Sequence, residues 1–189
     1  MTGLLLFTAG YTIAFFLYGH AIDSPLTNLY TAINIGLFGL FAVLNIWARW
    51  SLRALWAVSL VGLGNMLGGV ILVDGQPLYM SPVLGPILYD KVFHAAAAAA
   101  MTFVAWEMVK RWSGVGPHPG GMLLVTWLVV MGGGAVVEIA ELIGSSMSDV
   151  SVGDYTNNAL DLVANATGAA LALPVVVWLD RRDRVTAAA

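Results

Sequence analysis

The chain has 189 residues, of which 59% are hydrophobic and 10% charged, with a formal net charge of -3 and a mean hydropathy of +0.84. Soluble domains carry about 25% charged residues, so this composition excludes an ordinary soluble domain and indicates an integral membrane protein. The absence of cysteine excludes a disulfide framework, a thiolate metal centre and thiol redox chemistry, and no basic cluster marks a nucleic-acid partner.

Six apolar blocks each approach the ~20 residues that a bilayer core requires. They run Gly3–Ala21, Thr27–Ala48, Leu52–Val73, Val83–Val109, Met122–Ile143 and Asn158–Leu179. The expected architecture is an all-α polytopic membrane protein, one domain over residues 1–189 in which six transmembrane helices form a bundle. The first block lacks a basic leader and reads as a retained helix rather than a cleaved signal.

Lysines and arginines mark cytoplasmic connections. Arg49, Arg53, Lys110, Arg111, Arg181, Arg182 and Arg184 all fall on one side of a six-span arrangement; Lys91 alone falls on the other. Both termini are therefore expected to be cytoplasmic. All seven tryptophans lie toward the same side, and Tyr18, Tyr30, Tyr79, Tyr89 and Tyr155 toward the opposite one. That sorting suits aromatic residues at two membrane interfaces.

The first helix ends in a short outer turn that carries His20 and Asp23, one helical turn apart if the helix reaches them. The second and third helices carry Asn28, Asn34 and Asn65, which read as interhelical hydrogen-bonding groups. Gly64 and Gly68 are spaced for close helix approach. The connection Asp74 to Pro86 is rich in proline and glycine and reads as an outer loop. Asp90 and His94 then share one face of the fourth helix, with Lys91 between them and six alanines, Ala95–Ala100, directly after. His118 falls in a cytoplasmic loop. The fifth helix passes Gly132-Gly133-Gly134 to Glu138 and Glu141, and an outer loop containing Gly153 leads to Asn157, Asp161 and Asn165 on the sixth.

At 1.5 Å rise per residue, His94 comes about 10 Å below the outer face, Glu138 about 6–8 Å, Asp161 about 5 Å and Asn165 about 10 Å. Three helices of residues 83–180 thus deliver polar groups to one layer of the outer leaflet. The alanine run and the glycine triplet remove bulk at that depth and permit the fourth and fifth helices to approach, bringing His94 toward Glu138 and Glu141. Alternatively, the triplet kinks the fifth helix.

Carboxylates in hydrocarbon mark functional sites by default. Imidazole with carboxylates suits Zn²⁺, Mn²⁺ or Fe²⁺, and oxygen-only subsets suit Mg²⁺ or Ca²⁺. The candidate metal ligands are His94, Glu138, Glu141 and Asp161, with Asp90, Lys91, Asn157 and Asn165 in support. Without metal, His94, Glu138 and Glu141 are the candidate general acids and bases or members of a proton relay. A third reading is a buried ion-pair cluster in which Lys91 neutralises Glu138 or Glu141.

The series Asp90-Lys91-x-x-His94, Glu138-x-x-Glu141 and Asp161-x-x-x-Asn165-x-x-Gly168-Ala169 resembles the YjdF-type inner-membrane proteins and the related VanZ-like family. The resemblance covers roughly Ile87 to Ala172. Asn157-Asn158 stands where the YjdF-type pattern has Asp-Thr, and Glu141 where VanZ-like proteins usually carry glutamine. The resemblance implies a multi-pass protein of the bacterial cell membrane. Through the association of VanZ with glycopeptide-antibiotic resistance, it also implies envelope or lipid-linked chemistry.

Three functions follow as expectations. One is a membrane enzyme, or a relic of one, acting from the extracytoplasmic side on a lipid or lipid-linked molecule. The second is a protein that binds or transports a cation, proton or small polar ligand; the apolar, tryptophan-rich cytoplasmic halves argue against a conducting route. The third is a scaffold or structural accessory subunit of an envelope complex, bound to another membrane protein, whose polar cluster only holds the bundle together.

Overall fold

The computed structural model describes residues 1–113, 119–147 and 155–188. Among the described residues the protein is all-α apart from two short hairpins, and six helices are long and apolar enough to cross a membrane. These are α1 (Thr2–Ala21), α2 (Thr27–Ala48), α3 (Leu52–Val70), α4 (Tyr89–Trp112), α5 (Pro119–Met147) and α6 (Tyr155–Ala188). His118 and Gly153 lie outside the described residues. The chain divides into two compact units, Met1–Phe93 and His94–Ala189.

Helix ends follow local chemistry. Arg49 closes α2 in the left-handed conformation, and Asn45 Oδ1 accepts from the Trp50 amide at 2.8 Å. Ser51 then caps α3 by accepting from the Ala54 amide, which satisfies one of the free donors at a helix start. At the end of α1, Asp23 lies beyond the helix with φ +53°. His20 Nε2 meets Asn28 Oδ1 at 3.1 Å, so α1 is tied to α2 through this pair.

Two apolar blocks are shorter as helices than hydropathy suggests. The third ends at Val70 rather than Val73, and the fourth begins at Tyr89 rather than Val83. Between them, β1 (Leu72–Val73) pairs with β2 (Gln76–Pro77), a 3₁₀ turn spans Leu78–Met80, and β3 (Pro82–Leu84) pairs with β4 (Ile87–Leu88). Asp74 and Gly75 both have positive φ, as a type I′ hairpin turn requires. Hydropathy alone cannot separate such a hairpin from the adjacent helix, because its residues are equally apolar.

Within the first unit, α1, α2 and α3 pack on one another. Their contact faces hold polar and small residues: Asn34 Nδ2 donates to Thr12 Oγ1 at 2.8 Å, Thr8 and Ser59 hydroxyls meet at 2.7 Å, and Tyr11 donates to the Ser59 carbonyl. Lipid is as apolar as leucine, so packing and hydrogen bonds, rather than hydrophobicity, choose the buried face. The α3 glycines act as seats for aromatic rings. A Cβ on Gly68 would lie 2.5 Å from the Tyr79 ring, one on Gly64 would lie 2.9 Å from Phe93, and one on Gly69 would overlap Tyr30.

In the second unit the buried positions form helical stripes. The main stripes are His94, Ala98, Thr102, Ala105 and Val109 on α4, Thr126, Val130 and Glu138 on α5, and Asp161, Asn165, Gly168, Ala169, Ala172 and Val176 on α6, while Val104 and Trp106 on α4 are buried beside this stripe. Spacings of three and four residues keep each set on one face. A Cβ on Gly168 would overlap the backbone carbonyl of Ala95, so α4 and α6 meet backbone to backbone. The Gly134 face receives the Asn165 amide, at 2.7 Å from a Cβ placed there, whereas Gly132 and Gly133 face open space. The helix continues unbroken through all three glycines. The small residues therefore bring α6 against both α4 and α5; the expected approach of α4 to α5 near His94 and Glu138 is present as well, without a contact of the glycine triplet on the alanines. Gly168→Ala should destabilise the detergent-solubilised protein by about 1–3 kcal/mol, the usual cost of overpacking. Gly133→Ala should leave its thermal midpoint unchanged, and equal melting of the two variants would refute the close approach.

Candidate functional site

The site is built on the α4, α5 and α6 stripes near one end of the second unit. His94 lies five residues into α4, Asp161 six into α6, and Glu138 nine before the end of α5. At 1.5 Å per residue these offsets are about 7.5, 9 and 13.5 Å. The α5 offset is about one turn longer than the other two, and it is the side-chain contacts of His94 with Glu138 and Asp161 that show the three positions meeting. The shorter α4 places His94 nearer its helix start than the apolar block implied. Lys110, Arg111, Arg181 and Arg182 occupy the other ends of α4 and α6.

His94 is buried with a carboxylate facing each ring nitrogen. Nδ1 lies 3.6 Å from Glu138 Oε1, and Nε2 lies 3.7 Å from Asp161 Oδ1. Glu138 is buried and Asp161 is fully enclosed at 0% exposure. Both separations exceed the 2.7–3.2 Å typical of N–H···O hydrogen bonds. Asn157 Nδ2 donates to Asp161 Oδ2 at 2.8 Å. This one-turn contact fixes the carboxylate plane and leaves Oδ1 directed at the imidazole.

The other sequence candidates take distinct places. Asp90 is one turn before His94 on α4 and pairs with Lys91 Nζ at 2.8 Å; an acidic group in the first turn is favoured by the helix dipole. Glu141 is half-buried one turn beyond Glu138, so Glu138 is the member of the Glu-x-x-Glu pair that meets the imidazole. Asn165 is buried one turn below Asp161, and its Nδ2 has no hydrogen bond among the described residues.

Hydropathy did not single out Thr102 and Thr126, both wholly buried farther along α4 and α5. Thr102 donates to the Ala98 carbonyl. The Thr126 hydroxyl and the Trp106 indole N–H are buried without hydrogen bonds among the described residues. Threonine is common in membrane helices, and only its position on the same faces as His94 and Glu138 distinguishes it here. Trp127 donates to the Ala166 carbonyl at 3.2 Å, and Lys110 pairs with Asp180 at the far end.

The family model described as "Predicted membrane protein (DUF2238)" matches residues 3–182. The chain belongs to this family. It is a multi-pass membrane protein in contact with lipid. Comparison of this DUF2238 member with curated proteins and with solved structures finds no match.

Chemically, the arrangement offers an imidazole, two carboxylates aimed at it, and an amide that orients one of them. A neutral imidazole donates from one nitrogen and accepts at the other, so it can serve one carboxylate while keeping a lone pair on the opposite side. Asn157→Ala should lower thermal stability by about 1 kcal/mol, the usual worth of one hydrogen bond. Asp161→Ala, which removes the carboxylate facing the imidazole and leaves the Asn157 amide without its acceptor, should cost more, about 1–3 kcal/mol for the orphaned buried donor on top of the lost bond. Thermal unfolding in detergent reads both, and an Asn157 variant as unstable as the Asp161 variant would contradict this ranking.

Proposed function

We propose that the protein is a cell-membrane protein, related to the YjdF-type and VanZ-like proteins, whose His94 centre binds a divalent cation on the extracytoplasmic side. There it acts on a lipid or lipid-linked envelope molecule. The observation that carries this reading is the buried imidazole with a carboxylate from a different helix facing each nitrogen. Two donors about 2.1 Å from a tetrahedral zinc ion stand about 3.4 Å apart. The 3.7 Å between His94 Nε2 and Asp161 Oδ1 is close to that span and too long for a direct hydrogen bond.

One imidazole nitrogen can ligate while the other donates to a carboxylate, an arrangement that fixes the ring of many metal-bound histidines. His94 Nε2 and Asp161 Oδ1 form the ligand side, with Asp90 supporting it from the same helix. Glu138 Oε1 faces Nδ1 at 3.6 Å and supplies the charge behind the ring. Asn157 holds the second Asp161 oxygen, and Glu141 lies next in reach toward the helix end. A bound Zn²⁺, Mn²⁺, Fe²⁺ or Mg²⁺ would supply Lewis acidity toward an oxygen of a lipid headgroup. The extracytoplasmic placement rests on the basic ends of α4 and α6, which belong inside by the positive-inside rule.

A second reading has one specific observation in its favour. Thr102 and Thr126 continue the buried polar faces of α4 and α5 toward the basic end, where the sequence suggested only apolar packing. Such groups could support a proton or cation relay from the same centre.

Elemental analysis of protein purified without chelator should find about one divalent ion per chain. His94→Ala and Asp161→Asn should abolish it, and Glu138→Gln should weaken retention by 10- to 100-fold, the range for outer-shell partners. Protein that neither retains nor takes up Zn²⁺, Mn²⁺, Fe²⁺ or Mg²⁺ would sink the metal reading. Proton flux in proteoliposomes that disappears in Glu138→Gln would establish the relay instead.

A further inference from the structure

The segment between α3 and α4 exposes large apolar side chains where an aqueous loop would carry polar ones. Met80, Val83, Leu84 and Ile87 are all exposed, Met80 at 62% and Leu84 at 64%. No charged residue occurs between Asp74 and Asp90, so the surface offers nothing with which to select a charged partner. Exposed apolar side chains clustered in this way mark an interaction surface.

Three features identify what covers it. The first is position: β4 ends at Leu88 and α4 begins at Tyr89, with no linker between them. The hairpin therefore stands at the mouth of a membrane-spanning helix. It also continues a face that includes exposed Val92 one turn along α4.

The second is backbone satisfaction. Leu72 pairs with Pro77 and Val73 with Gln76, and Pro82 pairs with Leu88 and Leu84 with Ile87. The amides of Leu78, Ser81 and Tyr89 donate to Ile71, Leu78 and Ser81 carbonyls at 2.8–2.9 Å. A segment that meets the edge of hydrocarbon must satisfy its backbone internally, and this one largely does.

The third is anchorage. Tyr79 and Tyr30 stack with ring centroids 5.6 Å apart, and Tyr79 meets Tyr89 and Phe93 edge-on at 5.6 Å each. Tyr79 donates to Asn65 Oδ1 and Tyr89 to the Gly64 carbonyl, both at 2.8 Å. The inner side of the segment is thus pinned to α3 through rings seated on Gly64, Gly68 and Gly69. Tyrosine clusters belong at the membrane–water boundary, and this one fixes the level at which the apolar tip projects.

We infer that the β3–β4 hairpin and Met80 form an interfacial anchor that inserts into the lipid leaflet at this end of the helices. The occupant of the apolar surface is lipid acyl chain just beneath the headgroups. The β1–β2 turn at Asp74-Gly75, with exposed Gln76, stays in water.

The chain contains no cysteine, so single cysteines can be introduced without background. In full-length protein reconstituted into phosphatidylcholine–phosphatidylglycerol vesicles, nitroxide labels go at Leu84→Cys and, as a second site, Met80→Cys. Gln76→Cys serves as the aqueous reference. Power-saturation EPR should show the labels at 84 and 80 several-fold more accessible to oxygen than to a polar nickel chelate, with the reverse ratio at 76. Nickel accessibility at both 84 and 80 equal to that at 76 would place the hairpin in water and overturn the inference. Labels at both sites that are immobilised and shielded from both relaxants would overturn it too, in favour of a protein partner.

Discussion

The Ala95 carbonyl and the Gly168 Cα lie so close that no Cβ fits between them, and the candidate site depends on that approach. His94 is the residue before Ala95, and Asp161 is two helical turns before Gly168 on the same face of α6. Locking the two backbones at the Ala95–Gly168 crossing fixes the spacing of imidazole and carboxylate above it. The Gly134–Asn165 contact does the same between α5 and α6, one turn from Glu138. Steric contact rather than electrostatic attraction thus carries the geometry. That order of causes fits membrane proteins, in which small residues let helices approach and polar groups then meet.

The site was more legible in the sequence than the packing that builds it. Carboxylates in hydrocarbon are costly enough that Glu138 and Asp161 announce themselves, and regular helix spacing brings them near the level of His94. The partner of each small-residue run was not legible. Alanine and glycine say that something approaches closely, not what does, so the alanines after His94 were expected to meet the glycine triplet. The first of them, Ala95, meets Gly168 on α6, and of the triplet only Gly134 receives a neighbour, Asn165. The hairpins between α3 and α4 were hidden for another reason. Leu72, Val73, Val83 and Leu84 extend the apolar blocks without a break in hydropathy, and the Asp74-Gly75 turn was the available signal of strand pairing.

The two units solve the same problem by different means. Met1–Phe93 is held by hydroxyl and amide contacts such as Asn34–Thr12 and Thr8–Ser59, and by aromatic rings seated on α3 glycines. His94–Ala189 is held by backbone approach and keeps its polar groups for the centre around His94. Hydrogen bonds between side chains on membrane helices are individually modest, about 0.6 kcal/mol on average where measured by double-mutant cycles. Several are needed to define a helix trio that lacks a backbone crossing such as Ala95–Gly168.

Charge balance constrains what the centre can hold. Two ionised carboxylates around a neutral imidazole carry a charge of about -2, and even a protonated imidazole leaves about -1. The cost of removing such ions from water is several kcal/mol each. Two loadings bring His94, Glu138 and Asp161 to neutrality: a divalent cation with neutral His94 and both carboxylates ionised, or two protons, one on the imidazole and one on a carboxyl. These loadings have the same net charge, so the protein field does not choose between them; coordination chemistry does. The Asn157 amide makes the two carboxylates unequal. It donates to Asp161 Oδ2, so this oxygen already serves as an acceptor within α6. Oδ1 faces His94 Nε2 at 3.7 Å, and Glu138 Oε1 faces Nδ1 on the other side of the ring at 3.6 Å. The two carboxylates are thus unequal: one is oriented by an amide on its own helix, and the other faces the opposite nitrogen of the ring from α5.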